Sequence, residues 1–321
     1  MTAKLKIDSV YCFHLMVEAA YTEKEIRKMI PVTHLALALL IILIWGFNFI
    51  AIKLGLDEVS PLLLGFARFF LTSIPAVFFV KRPSIPFRSV IIYGLVMFAL
   101  QFALLFMGMY AGVTPGLASL LLQLHVFFSV LLGALFLNEK FHSWQIIGAL
   151  IAFSGIALVA MHLSGSVTLT GFLLVIGSAA AWGTGNVISK KLGKVNMVSL
   201  VIWGSLVAWP PLLAISLIVE GSEHLISTLQ HLTWVSGGAI LYITYLSTLL
   251  GFGLWSWLLH HHPIGTVAPF TLLVPIIAIL SSAAFLNEPL QTWKIIAALL
   301  VIFGVCINLF GPRLYARIGR K

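Results

Sequence analysis

Ten stretches of apolar residues, each long enough to cross a bilayer and separated by short polar turns, restrict what this 321-residue chain can fold into. They cover residues 34–54, 61–80, 90–110, 115–137, 144–161, 170–190, 197–219, 232–259, 264–286 and 292–310. A helix needs about 20 apolar residues to span the hydrocarbon core. Backbone N–H and C=O groups find no water there, so each segment must satisfy its own, which a helix does. A transmembrane barrel would show short alternating strands instead, and no such alternation is present. Hydrophobic residues make up 60% of the chain and charged residues 9%, whereas soluble domains carry about 25% charge. A soluble domain, a disordered chain and a nucleic-acid-binding domain are thereby excluded, despite a net charge of +9. Two cysteines, Cys12 and Cys306, are too few for a disulfide framework.

Lys and Arg in the short loops set the orientation. With the N-terminus inside, five basic residues fall in 1–28, followed by Lys81, Arg82 and Arg88, then Lys140, then Lys190, Lys191 and Lys194, and four in the tail after 312. That is 16 of the 19 basic residues. The outside receives Lys53 and Lys294, and Arg68 lies within a span. The bias predicts a multi-pass protein of the cytoplasmic (inner) membrane with both termini cytoplasmic. Residues 1–30 are polar, with one short apolar run at 10–17, and lack the apolar core of a signal peptide. They read as a cytoplasmic extension, or as an overcalled start with the working start at Met29. Residues 312–321 form a basic cytoplasmic tail.

The chain repeats itself. Phe136, Leu137, Asn138 and Glu139 recur as Phe285, Leu286, Asn287 and Glu288, an offset of 149, and the same offset pairs Trp144 with Trp293 and Gly155 with Gly304. Between 116 and 155, 14 of 40 positions are identical to their counterparts. Earlier in the halves, Trp45 and Gly46 meet Trp182 and Gly183 at an offset of 137, and the longer polar loop at 220–231 takes up the difference. Two units follow, 31–162 and 168–311, each of five helices. Five is odd, so the second unit is inverted in the membrane. The expected fold is an all-α membrane protein: ten transmembrane helices as two inverted five-helix repeats. Inverted repeats mark many secondary transporters, whose substrate sites lie near the midplane where the repeats meet.

The Trp45–Asn48 string Trp-Gly-Phe-Asn, the string Ala67, Arg68, Phe69, and the Asn-Glu…Trp…Gly pattern closing each half resemble the EamA-type drug/metabolite transporters. Pro115-Gly116-Leu117-Ala118-Ser119-Leu120, Ser199-Leu200-Val201-Ile202-Trp203 and the prolines Pro269 and Pro275 make the chain most similar to the O-acetylserine/cysteine exporters of that superfamily. The resemblance covers about residues 30–312. It implies export of small metabolites, amino acids such as cysteine or O-acetylserine among them, from the cytoplasm.

Polar residues inside spans are the candidate substrate ligands. Arg68 sits seven residues into its span, about 10 Å along the axis, and no Asp or Glu lies within any span. Intramembrane charges usually face a cavity or a partner. Arg68 either grips a substrate carboxylate bidentately or ties helices together through backbone carbonyls. Asn48, Gln101, Gln123 and Asn186 are amides that hydrogen-bond either a substrate or a neighbouring helix. His125 titrates near neutrality in its ordinary state and so could carry a coupling proton, although the family pattern requires no histidine there. On an unbroken helix Gln123 and His125 are about 200° apart and cannot face one narrow cavity. Trp45 and Trp182, at repeat-equivalent positions, are the best aromatic cavity candidates. Gly177, Ala181 and Gly185 form a small-residue stripe for helix packing. Pro75 and Pro211 fall near each other in the repeat. Pro269 and Pro275 interrupt the ninth span, whereas Leu120 and Val126, their equivalents, leave the fourth unbroken. All four prolines are candidate hinges or helix interruptions. Glu139 and Glu288 are expected to cap the helices that follow them. Adjacent histidines at 260, 261 and 262 point in different directions, so no metal site or cofactor is expected.

The leading reading is a secondary transporter of a small-molecule substrate in a lipid bilayer. Gly193-Lys194 lacks the rest of a phosphate-binding loop. An intramembrane enzyme is the alternative, but neither Gly-x-Ser-x-Gly nor His-Glu-x-x-His occurs. A non-transporting scaffold leaves the repeat unaccounted for.

Overall fold

The computed structural model describes residues 31–137, 142–163, 168–262 and 264–318. The extension 1–30 with Met29, and Glu139 with Lys140, lie outside them. Among the described residues, ten helices are long and apolar enough to cross a membrane: α1 (Val32–Leu56), α2 (Pro61–Phe78), α3 (Phe87–Tyr110), α4 (Pro115–Leu137), α5 (Ser143–Ala160), α6 (Leu169–Leu192), α7 (Met197–Val219), α8 (Trp234–His261), α9 (Ala268–Leu286) and α10 (Thr292–Gly311). Their ends match the apolar segments to within about four residues. A short helix, Ser222–His231, occupies the α7–α8 connection, where the sequence had suggested only a polar loop.

Apolar side chains such as Leu39, Leu43, Leu135, Leu150, Phe153 and Leu299 point outward and are exposed. So large an apolar exterior on a folded chain fits a lipid solvent. Inside, α5 packs on α10 and α2 on α7. Helix α3 packs on α6 as α1 packs on α8, and α4 packs on α6 as α1 packs on α9. Exchanging the two five-helix halves turns each of these pairs into itself or another of the set.

At the α5–α10 crossing the backbones touch. A Cβ on Gly148 would sit 2.6 Å from the Gly304 carbonyl oxygen, and one on Gly155 would sit 2.9 Å from that of Ala297. The two contacts are repeat equivalents. Only hydrogen fits there, as in other close helix pairs in membranes. Gly148→Leu is expected to lower the melting temperature in mild detergent and the monodisperse yield, with an overpacking cost of about 1–3 kcal/mol. An unchanged melting curve would argue against the close approach.

Both halves carry two irregular spans at matching positions. In α4 the α-helix Pro115–Leu122 stops. The amides of Gln123 and Leu124 bond the carbonyls of Leu120 and Leu121, three residues back, and a second helix runs His125–Leu137. The expectation of an unbroken fourth span is therefore corrected: tightened turn bonding breaks it without proline. The α9 break has a 3₁₀ segment, Ala268–Leu272, holding Pro269, and Pro275 lies in the first turn of Leu273–Leu286. A missing N–H costs nothing in a first turn. The other matching pair is π-helical, Gly94–Leu100 in α3 and Tyr242–Leu250 in α8. Of the remaining prolines, Pro75 follows the last α-helical residue of α2, Ser73. Helix α7 runs through Pro210 and Pro211 without a break, so Pro211 does not interrupt its helix. Neighbouring helices and side chains can re-satisfy carbonyls freed by proline within a membrane bundle.

Candidate functional site

Arg68 is buried to 2% exposure on α2. Its Nε donates to Thr248 Oγ1 at 3.1 Å, and its guanidinium lies 4.2 Å from the centre of the Phe102 ring on α3. Stacking over an aromatic face compensates some of the lost hydration. Nη1 is buried with no hydrogen-bond partner, and no carboxylate pairs with the guanidinium, among the described residues. Thr248 belongs to the π segment of α8 and donates its own proton to the Ile243 carbonyl, five residues back, at 2.7 Å. Helix α1 lines the same segment. Trp45 Nε1 donates to the Ser247 carbonyl at 3.1 Å, and Tyr242 Oη donates to the Ile44 carbonyl at 2.9 Å. Asn48 is buried one turn from Trp45, its Oδ1 without a partner among the described residues.

The remaining candidates gather elsewhere. His125 stacks on Trp182, ring centres 4.5 Å apart, and its Nδ1 donates to the Leu122 carbonyl at the α4 break. Asn186 Nδ2 donates to Ser129 Oγ at 3.0 Å. Gln101 Nε2 donates to Ser178 Oγ at 3.0 Å, while its Oε1 is buried without a partner among the described residues. Gln123 is buried within the break itself. Trp45 and Arg68 thus both reach the π segment of α8, with Asn48 one turn from Trp45 on α1, while Trp182, His125 and Asn186 join α6 to α4. The repeat-equivalent Trp45 and Trp182 have different surroundings. The stripe on α6 packs against α3: a Cβ on Gly185 would press on Met97. Thr244, Thr248 and Phe102 were missed by sequence reasoning. Their one signal is the i, i+4 threonine pair in a span, which resembles many structural hydroxyl pairs.

Carboxylates join the halves at the end of the bundle that carries the α1–α2 turn. Glu58 accepts from the Thr233 amide and hydroxyl and from Ser236 Oγ at the start of α8. Glu220 accepts from Ser60 Oγ at 2.7 Å and the Leu62 amide at 3.2 Å at the start of α2. Glu288 accepts from Thr114 Oγ1 and the Gly116 amide at the start of α4, from Ser282 Oγ, and from Lys294 Nζ at 3.0 Å. Each carboxylate takes donors that a helix N-terminus leaves unpaired and meets the positive end of its dipole. The expectation that Glu288 caps α10 is corrected. Asn287 ends α9 in the left-handed conformation (φ 53) and α10 begins only at Thr292, so the carboxylate turns toward α4.

Hydrogen bonds from Ser236 and Thr233 hold the Glu58 carboxyl below its ordinary value of 4.5. A carboxylate with a depressed pKa contributes stability above that ordinary value, and the contribution is lost as pH falls through the lowered one. Wild type is therefore expected to melt above Glu58→Gln at neutral pH in detergent, with the two curves converging on acidification. A constant gap across that range would count against the clamp. The opposite end holds a cavity of about 230 Å³ lined by Lys81, Arg82, Ser84, Lys194, Asn196 and Ser199.

The model of the EamA-like transporter family matches residues 33–161 and 169–310. A probable amino-acid metabolite efflux pump of Escherichia coli (strain K12) is 38% identical over 283 residues, covering 86% of this chain and 95% of the pump. The protein of the same description from Salmonella typhimurium matches to the same extent. The uncharacterized transporter YoaV of Bacillus subtilis is 26% identical over 279 residues, covering 84% of this chain and 94% of YoaV. A solved crystal structure aligns with a TM-score of 0.58 over 89% of this chain and 99% of its own, at 17% identity. That last likeness is one of fold.

Proposed function

Because the chain belongs to the EamA-like transporter family, we propose that it is a secondary transporter that exports amino-acid metabolites across the cytoplasmic membrane by alternating access. The observation that carries this reading is the 38% identity with an amino-acid metabolite efflux pump along almost the whole of both chains. Cysteine and O-acetylserine are the substrates to test first. The two five-helix units are inverted repeats, a reading supported by the exchange of neighbours between halves. Both termini are cytoplasmic, which makes the glutamate-clamped end external and the basic cavity cytoplasmic. Arg68 receives the substrate carboxylate, a reading supported by its buried, unpartnered Nη1.

Everted vesicles containing the protein should accumulate L-cysteine or O-acetyl-L-serine above empty vesicles, and a pH gradient across them should report whether protons are coupled. No accumulation of any amino acid in a broad panel would count against the export reading. Reporter fusions after Arg82 and Lys194 should read cytoplasmic, and those near Glu58 and Glu223 external. The reverse pattern would invert the topology.

A further inference from the structure

The π segment of α8 sets one hydroxyl, Thr248, against the guanidinium of Arg68 and a second, Thr244, one turn away on the same segment. Thr244 and Thr248 are four residues apart, one turn, and share a face of the helix. Thr248 spends its proton on the Ile243 carbonyl and so offers Arg68 Nε only a lone pair. Thr244 is fully buried, and its hydroxyl has no partner among the described residues. Arg68 lies seven residues from the start of α2 and Asn48 eight from the end of α1, so both sit about 10–12 Å below the clamped end. Trp45, one turn from Asn48, is bonded to the π segment itself. Buried polar groups without partners are costly and uncommon in native structures. Three lie on the π segment and the two helices packed against it: a cationic donor at Arg68 Nη1, a hydroxyl at Thr244 and an acceptor at Asn48 Oδ1. An α-amino acid carries the complementary set, an anionic acceptor beside a cationic donor.

We propose that the π segment of α8 is the substrate-recognition element of this transporter. Thr244 Oγ1 donates to the substrate carboxylate beside Arg68 Nη1, and Asn48 Oδ1 accepts from the substrate ammonium. Thr248 is a positioning residue that fixes the guanidinium through Nε. The assignment rests on the export reading above and adds to it the residues that distinguish a free amino acid from a molecule lacking one of its two charges.

The test is equilibrium binding of radiolabelled L-cysteine (under reductant) and O-acetyl-L-serine to the full-length protein in nanodiscs. Thr244→Val should weaken binding by about 10-fold, the range of one hydrogen bond to a charged group, and Thr244→Ser should restore it. Thr248→Val should weaken binding similarly, with Thr248→Ser restoring it, which a general packing role would not do. Cysteamine, which has no carboxylate, should bind wild type and Thr244→Val alike. Arg68→Ala with Thr244→Val should bind within about twofold of Arg68→Ala alone, because the two side chains hold one carboxylate. Ser205→Ala, whose hydroxyl bonds its own helix at Val201, should match wild type. Melting curves accompany every variant, and Thr244→Ala replaces Thr244→Val should the latter not fold. Wild-type affinity in both Thr244→Val and Thr244→Ala beside a weak Arg68→Ala would overturn the recognition role while leaving the export reading intact. Losses that multiply in the double variant would overturn it as well. Wild type that binds no amino acid of a broad panel would overturn the export reading and this proposal together.

Discussion

Arg68→Ala is expected to reach the membrane at the wild-type level and to weaken amino-acid export by about 10- to 150-fold in apparent affinity. That range is one charge-assisted hydrogen bond of about 1.5–3 kcal/mol. The buried guanidinium donates through Nε to Thr248 and has no carboxylate partner among the described residues. Removing the guanidinium strands no counter-ion, but alanine leaves a void and gives up the stacking on Phe102. A modest drop in melting temperature from lost packing is therefore expected beside the fall in export, so export is compared at equal membrane level. Arg68→Lys keeps the charge but loses the planar fork and the ring stacking, and should lie between. Arg68→Ala that inserts normally and exports at wild-type rate and affinity would remove the carboxylate role. Poor insertion of both variants would favour a helix tie.

Glu288→Ala should have the largest effect on stability. Glu288 and Lys294 are each about 10% exposed, paired at 3.0 Å. Removing the carboxylate leaves the ammonium buried without its counter-charge, a loss of about 3–5 kcal/mol. The Gly116 amide and the hydroxyls of Thr114 and Ser282 lose their acceptor at the same time. Adding Lys294→Met should recover part of the loss, since the stranded charge goes while the orphaned donors remain. Asp57→Asn offers the contrast. Its pair with Lys53 joins side chains 50% and 39% exposed, and such surface pairs contribute about 0–1 kcal/mol. Thermal unfolding in one detergent at one pH would rank the three, and a Glu288→Ala curve superimposable on wild type would dismiss the clamp.

The ten spans and their limits were legible because a bilayer imposes one length and one composition on every helix. Helix irregularity was less so. Pro269 lies in the 3₁₀ segment of α9, but the matching break at Gln123–Leu124 carries no proline, and neither π segment holds a proline that would announce it. What the sequence does not display is how distant spans meet, as at Gly94 at the head of the α3 π segment, where a Cβ would sit 2.6 Å from the Gly204 carbonyl oxygen. Arg68 stood out because a charge in a span is rare. Thr244 and Thr248 did not, since hydroxyls in spans commonly bond their own backbone, as Ser205 does here. Glu288 was recognised as a cap, but not which helix it caps, because that depends on the left-handed turn at Asn287 and on how the halves meet.

The cavity between the α2–α3 and α6–α7 turns gathers Lys81, Arg82 and Lys194 around one opening. Their combined field fades over about 8 Å at physiological ionic strength, so it acts on molecules already at the mouth. A zwitterion carries no net charge to be attracted, but it has a dipole, and a positive rim turns that dipole carboxylate-first. On the export reading proposed above, a molecule aligned in this way presents to Arg68 the carboxylate that the proposal assigns to it. Raising the salt to about 1 M shortens the reach to about 3 Å and removes the alignment without touching any residue deeper in the path.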